Sequence, residues 1–294
     1  MNSYIKNKSK KSYIIPKQLI STNIPYLQII YEIYALTKRL YLQIIRKPST
    51  FIASMIQPLL WLLLFGSLFQ NIPINLFTNN IKYEIFLSPG IIVFTSFNGA
   101  VNAGLPLIFD REFGFLNRIL ISPLLLKDSL LISLLVSVIT TTTLQTFTML
   151  GFNILMMNRI PSYYFFITII QIILLITISI ASLSICLAFI LPGHIEFLAL
   201  LLLINLPTLF SSTALAPLSF MPYWLQILAC LNPLTYAIEI LRYVQSDITS
   251  IYYGSKILKT VWFTFSVYES MAVLILMTIT NSMLAKYIIK YKYE

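Results

Sequence analysis

Apolar residues form long uninterrupted stretches in this chain, and the charged residues stand between them. No charged residue occurs between Lys47 and Lys82, and four further charge-free intervals follow at 85–109, 129–158, 160–195 and 197–238. Each interval exceeds the roughly 20 residues with which a helix spans the hydrocarbon layer of a bilayer. A charge near the middle of a membrane costs about 2.5–3.5 kcal/mol. The pattern therefore predicts an all-α, polytopic membrane protein.

The apolar intervals predict six transmembrane helices, at residues 51–70, 85–108, 129–151, 162–191, 196–220 and 263–285. Six spans leave both termini on the same side. With the N-terminus inside, the inner segments carry 15 of the 20 Lys and Arg residues, and the outer segments carry five. This asymmetry follows the positive-inside rule. We therefore predict an N-in, C-in orientation and a six-span domain over residues 50–294.

Residues 1–49 form the predicted inner tail, which ends in an amphipathic helix over 25–47. Pro48 stops that helix because proline cannot continue it. One face of the helix is polar and carries Gln28, Glu32, Arg39, Gln43 and Arg46. The opposite face is apolar and carries Ile29, Ile30, Ile33, Leu36, Leu40 and Ile44. The pattern favours a helix lying in the membrane interface, and the alternative is a soluble helix packed on a partner.

The interval after Phe197 is too long for one span and too short for two spans with a wide loop. Four prolines divide it, namely Pro207, Pro217, Pro222 and Pro233. We predict one span that ends near residue 220. Two short external helices, at 222–232 and 234–246, then dip into the outer leaflet or cap the spans. Irregular backbone at this depth must be shielded by protein or by water in a cavity.

The inner loop between the second and third spans, residues 109–123, combines charges, a glycine and apolar side chains. Such a segment can dock on a partner, with charges that fix the register and with Phe113, Phe115 and Leu116 as apolar anchors. An ordinary charged loop that fixes membrane topology is the alternative. The residue types alone do not separate these two interpretations.

The order of the residues in this loop resembles the signature of type-2 ABC exporter permeases, the membrane subunits of bacterial and plastid exporters. The run is Arg111-Glu112-x-Gly114-x-Leu116-x-Arg118-x-Leu120-x-Ser122-Pro123. A second similar stretch contains Leu218-Ser219-Phe220-Met221-Pro222-x-Trp224-Leu225 and Asn232-Pro233-Leu234-Thr235-Tyr236, followed by Glu239 and Arg242. Phe115 departs from the family pattern, in which a small or hydroxyl residue is common. The resemblance covers the chain from the interface helix to the sixth span and is closest to plastid-encoded members.

The resemblance implies a coupling segment that docks on a separate ABC ATPase subunit, formed by Arg111, Glu112, Phe113, Gly114, Phe115, Leu116 and Arg118. It implies external helices over the translocation path, marked by Pro222, Trp224, Asn232, Pro233, Tyr236, Glu239 and Arg242. It also implies a homodimer of permeases in a bilayer, with ATP bound by the partner and no cofactor on this chain. A plastid or chloroplast membrane is the expected location, and a bacterial inner membrane is the alternative.

Polar side chains inside the predicted spans are candidates for the translocation path. They are Asn98, Asn102, Ser133, Ser137, Thr141, Gln145 and Glu269. The same side chains can instead hydrogen-bond across packed helices, as can the small-residue ridge of Ser96, Ala100 and Gly104. Glu269 is either an intramembrane carboxylate, and so a functional candidate, or a residue near the outer interface beside Tyr268.

Motifs of other function classes do not occur in the sequence. It has no Gly-x4-Gly-Lys-Ser/Thr loop for nucleotide phosphates, and its one histidine, His194, excludes a His-Glu-x-x-His zinc site. We therefore predict a transport subunit that is not an enzyme and holds no metal. The net charge of +10 sits at the ends of apolar runs and does not form the basic face that nucleic acid requires. An ATP-independent secondary transporter or channel is the alternative function.

Overall fold

The computed structural model of the protein describes residues 26–69, 83–121, 128–157, 162–246, 256–260 and 263–293. Within these residues the chain is almost entirely helical. The helices are α1 (Tyr26–Arg46), α2 (Pro48–Leu68), α3 (Tyr83–Val101), α4 (Leu105–Glu112), α5 (Phe115–Ile121), α6 (Asp128–Met157), α7 (Tyr163–Ile190), α8 (His194–Phe210), α9 (Tyr223–Leu231), α10 (Pro233–Ser246) and α11 (Val267–Tyr293). The predicted tail before residue 26 lies outside the described residues.

Among the described residues, five helical stretches are long and apolar enough to cross a membrane: Pro48–Leu68, Tyr83–Glu112, Ser129–Met156, Tyr163–Ile190 and Val267–Ile289. They correspond to the first, second, third, fourth and sixth predicted spans, so the polytopic all-α fold is confirmed. The fifth predicted span, 196–220, extends ten residues beyond the end of the corresponding helix. Helix α8 ends at Phe210. Its length of 17 residues is the lower limit for a helix that spans a membrane.

The second span is one helical column with a break in it. Helix α3 passes into a short 3-10 turn at Asn102–Gly104 before α4 begins. Pro106 lies in the first turn of α4 and has no N–H to donate to the preceding turn. The hydroxyl of Ser184 on α7 compensates for the break, because it donates to Val101 O (2.5 Å) and accepts from Gly104 N (2.9 Å).

Helix α7 lies at the centre of the bundle and packs on α3, α6, α10 and α11. Its buried side chains include Ile172, Ile173 and Ile176, each at most 1 % exposed. Helix α2 lies at the periphery, where it packs mainly on α3. Cys186 and Cys230 are free and buried, as expected for small apolar side chains.

Helix α1 packs on α6 through the apolar face that the sequence predicts, with Leu36 and Leu40 in contact with the main core. A second apolar stripe, which includes Tyr31 and Tyr34, stays exposed. Arg39 was placed on the solvent face by its spacing, but it points inward and forms an ion pair with Asp110 of α4. The bundle therefore covers the apolar face of α1 around Leu36 and Leu40, whereas Ile30, also predicted on that face, is 60 % exposed and lies with the exposed stripe that remains for the membrane interface.

The two predicted external helices are α9 and α10, which meet at a bend of 86°. A short antiparallel hairpin, β1 (Lys256–Lys259) and β2 (Thr264–Ser266), precedes α11. The sequence pattern did not predict this hairpin. The molecule thus has two ends: the α4–α5 end, where the α7–α8 turn also lies, and the α9–α10 end.

Candidate functional site

The predicted coupling segment folds as two short helices joined by a sharp turn. Phe113 N bonds to Phe109 O (3.0 Å) and Gly114 N bonds to Arg111 O (3.2 Å), which closes the last turn of α4. Gly114 has a φ of +70°, in the left-handed region that other L-residues avoid. The conformation of this turn therefore favours a glycine between α4 and α5. Ser122 and Pro123, the end of the predicted segment, lie outside the described residues.

The guanidinium group of Arg111 caps the C-terminal end of α7. It donates to the carbonyl oxygens of Ala188 (2.8 Å), Phe189 (3.3 Å) and Pro192 (2.8 Å), and also to that of Leu191. The last carbonyl groups of a helix have no partner within the helix and carry the negative end of its dipole. Arg111 thus supplies the cation and the donors that this helix end needs.

The carboxylate of Glu112 binds the start of α8. It accepts hydrogen bonds from the backbone N–H of His194 (2.5 Å) and lies 2.6 Å from Nδ1 of the same residue. The N-terminal N–H groups of a helix favour a negative charge. Phe109 adds a ring contact, with its centroid 5.3 Å from that of His194. Arg111 and Glu112, expected to contact the partner directly, are therefore engaged within the chain.

The remaining residues of the segment divide into exposed and buried groups. Phe113 is 79 % exposed, and Arg118 is exposed. Phe115 is half-exposed, and the Arg39 guanidinium lies 4.7 Å from its ring centroid. Leu116 is only 4 % exposed and belongs to the main core, so its prediction as a partner anchor was wrong. Among the described residues of the segment, Phe113 is the most exposed aromatic side chain, and Ile121 at the end of α5 is 83 % exposed.

A network of carboxamide side chains joins four helices inside the bundle. Asn98 of α3 accepts from Nδ2 of Asn205 on α8 (3.2 Å) and donates to Oε1 of Gln57 on α2 (3.4 Å). Gln145 of α6 donates to Oγ of Ser54 on α2 (2.7 Å). Sequence reasoning found Asn98 and Gln145 but missed Gln57, Ser54 and Asn205. Each of these three is a polar side chain within a predicted span. Ser54 is near the start of the first span, Gln57 precedes Pro58, and Asn205 lies two residues before Pro207.

The predicted hydroxyl stripe of α6 is satisfied mostly within its own helix. Ser133 donates to Leu130 O (2.8 Å) and Thr141 donates to Ser137 O (3.0 Å). Ser137 is buried. Asn102 likewise donates to Asn98 O one turn earlier (2.8 Å). The hydroxyl groups of Ser133 and Thr141 therefore have partners within α6, whereas Oε1 of Gln145 is buried without one.

Glu269 lies in the first turn of α11 and is exposed. Its carboxylate accepts from Ser266 N (2.7 Å), and Ser266 Oγ accepts from Glu269 N (3.4 Å). This reciprocal arrangement is a capping box. Of the two interpretations of Glu269, the structure supports the position near the interface beside Tyr268 over one well within a span, because α11 begins at Val267 and not at residue 263.

Two residues of the second motif stabilise the α9–α10 end. Arg242 pairs with Glu239, donates to Thr213 O (2.8 Å) and lies 3.7 Å from the ring centroid of Phe86. Asn232 donates to Thr208 O (2.8 Å), and its Oδ1 accepts from Leu234 N (3.0 Å) at the start of α10. These contacts hold the irregular backbone after α8.

The other predicted residues of this end differ in exposure. Pro222 and Trp224 are exposed, and Pro233 is half-buried. Tyr236 is buried and donates from its hydroxyl to Cys230 O (2.8 Å). Trp224 is 64 % exposed, so α9 presents an aromatic side chain outward.

An open groove of about 870 Å³ runs along α2. It is lined mainly by apolar side chains, among them Leu60, Trp61 and Phe65, and by the amide of Gln57. The lining residues all belong to α2, so the groove follows one mostly apolar face of this helix. Gln57 on this face accepts a hydrogen bond from Asn98 of the carboxamide network.

Comparison with known proteins now bears on this geometry. The profile of the ABC-2 type transporter family matches residues 31–246, from α1 to the end of α10. The chain belongs to the ABC-2 type transporter family. The matched region includes the α4–α5 turn, the α7–α8 turn and the α9–α10 end.

Three proteins named "Putative transport permease ycf38" are similar to this ABC-2 chain. The one from Porphyra purpurea is 48 % identical over 263 residues, which cover 90 % of both chains. The one from Pyropia yezoensis is 53 % identical over 220 residues and covers 75 % of this chain and 76 % of its own. The one from Cyanophora paradoxa is 44 % identical over 261 residues, or 89 % and 90 % of the two chains.

These relatives are plastid-encoded proteins of algae. The chain is accordingly a multi-pass membrane permease of an ABC transporter, and its location is a plastid membrane. Membership of the ABC-2 family implies an ABC ATPase subunit as a partner.

Proposed function

We propose that this permease is the membrane subunit of an ABC exporter, and that a separate subunit binds and hydrolyses the ATP. The observation that carries the proposal is the α4–α5 turn. Its backbone is fixed by Gly114, its flanks are attached to α7 and α8, and it presents the 79 % exposed ring of Phe113. A rigid turn with one protruding aromatic ring suits a hot-spot contact in a partner's pocket.

The cargo that the single chain fits best is an amphiphile, such as a lipid, a lipid-linked polysaccharide or a drug-like molecule. The groove along α2 offers apolar contact to a hydrocarbon chain, and Gln57 offers a donor and an acceptor to a polar group. The groove is open along its length, and α2 packs on few neighbours. We propose that a second copy of the permease closes it, which gives the homodimer that the family resemblance implies. Ser133 and Ser137 are buried and Thr141 is half-buried, so their role in the path stays a prediction.

The docking proposal is tested by purification of the tagged permease in a mild detergent, with identification of stoichiometric partners. Phe113→Asp replaces the exposed ring with a charge and should reduce the recovery of an ABC ATPase by about tenfold or more, since a buried aromatic anchor contributes at least about 2 kcal/mol. Phe263→Asp is the matched control, because Phe263 is 69 % exposed in the hairpin at the α9–α10 end. Equal recovery with both variants would refute docking at the α4–α5 turn.

ATP dependence is tested separately with the purified complex in liposomes. Export of a fluorescent phospholipid that requires ATP supports an exporter of amphiphiles. A permease that purifies alone and moves solutes or ions without ATP would instead be a secondary transporter or channel.

A further inference from the structure

Two adjacent side chains on the last turn of α4 bind the two ends of one short turn. Helix α7 ends at Ile190 and α8 begins at His194, so three residues separate them. Arg111 binds the carbonyl oxygens at the first end, and Glu112 binds the N–H and the ring of His194 at the second. The cation faces the negative end of α7, and the anion faces the positive end of α8.

The packing leaves little space between the α7–α8 turn and the end of α4. A Cβ atom on Gly193 would lie 3.2 Å from Oε1 of Glu112 and 2.6 Å from Oε2 of Glu196. The α7–α8 turn therefore lies in close contact with the Glu112 carboxylate of α4, and the nearer neighbour of Gly193 is Glu196 of α8. Charge-assisted hydrogen bonds of this kind are about twice as strong as neutral ones.

Helix α4 is also held to α7 at its other end. A Cβ atom on Gly104 would lie 2.6 Å from the backbone oxygen of Ser184 and 2.7 Å from Cζ of Phe197 on α8. Contacts at both ends of the eight-residue helix α4 leave it no independent movement relative to α7. Because α7 packs on α3, α6, α10 and α11, a displacement of α4 is passed to the centre of the bundle.

We propose that Arg111 and Glu112 are positioning residues that join the α4–α5 turn and the α7–α8 turn into one rigid unit. This inference rests on the proposed function, since the unit gains its role from an ATPase that docks on α4–α5. In this arrangement the ATPase moves α7 and α8 directly, and not only α3. Phe113 makes the contact with the partner, whereas Arg111 and Glu112 determine what moves with it.

The experiment combines a distance measurement with a coupling assay. Spin labels are placed on cysteines at Ile121 and Ile195, which are 83 % and 69 % exposed, after Cys186 and Cys230 are changed to alanine. In the parent protein in lipid nanodiscs, the distances between the labels should form one narrow distribution. Glu112→Gln and Arg111→Gln should broaden it, because loss of one charge-assisted bond shifts the ratio of joined to separated turns about tenfold.

Glu196→Gln is the matched control for the charge. It removes a carboxylate from the same first turn of α8, where Glu196 is exposed and lies beside Gly193, whereas the hydrogen bonds to His194 come from Glu112. This variant should keep the narrow distribution. If Arg111→Gln fails to fold, Arg111→Lys serves instead, because it keeps the charge but loses the planar fork that reaches several carbonyl groups.

The functional readout separates positioning from docking. Glu112→Gln and Arg111→Gln should retain the co-purifying ATPase and lose most ATP-driven transport. Unchanged distance distributions, or normal transport in both variants, would overturn the inference while leaving the proposed function intact. A parent permease that recovers no ABC ATPase would instead contradict the proposed function, and the distance measurement would still report whether the two turns are joined.

Discussion

The close contact between α4 and α7 at Gly104 predicts that alanine has opposite effects at two glycines. At Gly104 an added methyl group would lie 2.6 Å from Ser184 O and 2.7 Å from Phe197 Cζ. A backbone oxygen cannot yield as a flexible side chain can, so Gly104→Ala must push α4 away from α7. At Gly151 in α6 an added methyl group would meet no atom within 4 Å.

The two substitutions should therefore change stability in opposite directions. Overpacking costs about 1–3 kcal/mol, and loss of the bond between Gly104 N and Ser184 Oγ adds about 1 kcal/mol. We expect Gly104→Ala to lower the free energy of unfolding by about 2–4 kcal/mol, which for a chain of 294 residues corresponds to a decrease in Tm of roughly 3–7 °C. Gly151→Ala should raise stability by about 0.5–1 kcal/mol, because alanine is the better helix former.

A thiol-reactive dye can follow the unfolding of the purified permease in detergent. Cys186 and Cys230 are both free and buried, so they react as the bundle opens. The reasoning would be refuted if Gly104→Ala and Gly151→Ala unfolded at the same temperature. A smaller decrease for Gly104→Ala than for Ser184→Ala would show that the contact relaxes at little cost.

Two further substitutions test the ends of the bundle. Gly114→Ala should destabilise the α4–α5 turn by about 1–2 kcal/mol because φ is +70°, and Gly114→Asn, which tolerates this conformation better, should reduce ATPase recovery less than Gly114→Ala. Arg242→Lys should lower the free energy of unfolding by about 2–4 kcal/mol, since lysine cannot bind Glu239 and Thr213 O together while stacking on the Phe86 ring. The control Arg46→Lys, at the exposed end of α1, should leave Tm unchanged. Equal Tm values for the two variants would contradict a stabilising role of Arg242.

The apolar intervals were sufficient to predict the spans because a bilayer imposes one strong rule on every segment that crosses it. A helix with 20 or more apolar residues and no charge has few alternatives. The predicted fifth span is too long because its end was inferred from the absence of charged residues. The chain stays apolar after Phe210, but the backbone turns at Ser211 and is held by Asn232. Apolar composition does not report where a buried turn begins.

The roles of Arg111 and Glu112 could not be predicted because their partners lie about 80 residues away along the chain. A loop whose charges face solvent and a loop whose charges bind another part of the chain have the same composition. The burial of Leu116 has the same origin, since it depends on how α5 packs on the core. These errors concern contacts between distant segments, and no local pattern records them.

The position of Glu269 was within reach of the sequence. Ser266 and Glu269 have the spacing of a capping box, which marks the start of a helix and not its middle. That signal places the N-terminus of α11 at Val267, as the structure does. The apolar run alone extends the span to residue 263 and so moves the carboxylate into the membrane.

The docking of an ABC ATPase on the α4–α5 turn is tested most directly by a photo-crosslinking amino acid at position 113 of the permease. Phe113 and Trp224 are both exposed aromatic residues, at opposite ends of the bundle, so position 224 is the matched control. We predict that the residue at 113 captures an ABC ATPase subunit in native membranes and that the residue at 224 does not. Capture of an ABC ATPase at neither position, or equally at both, would contradict coupling through this turn.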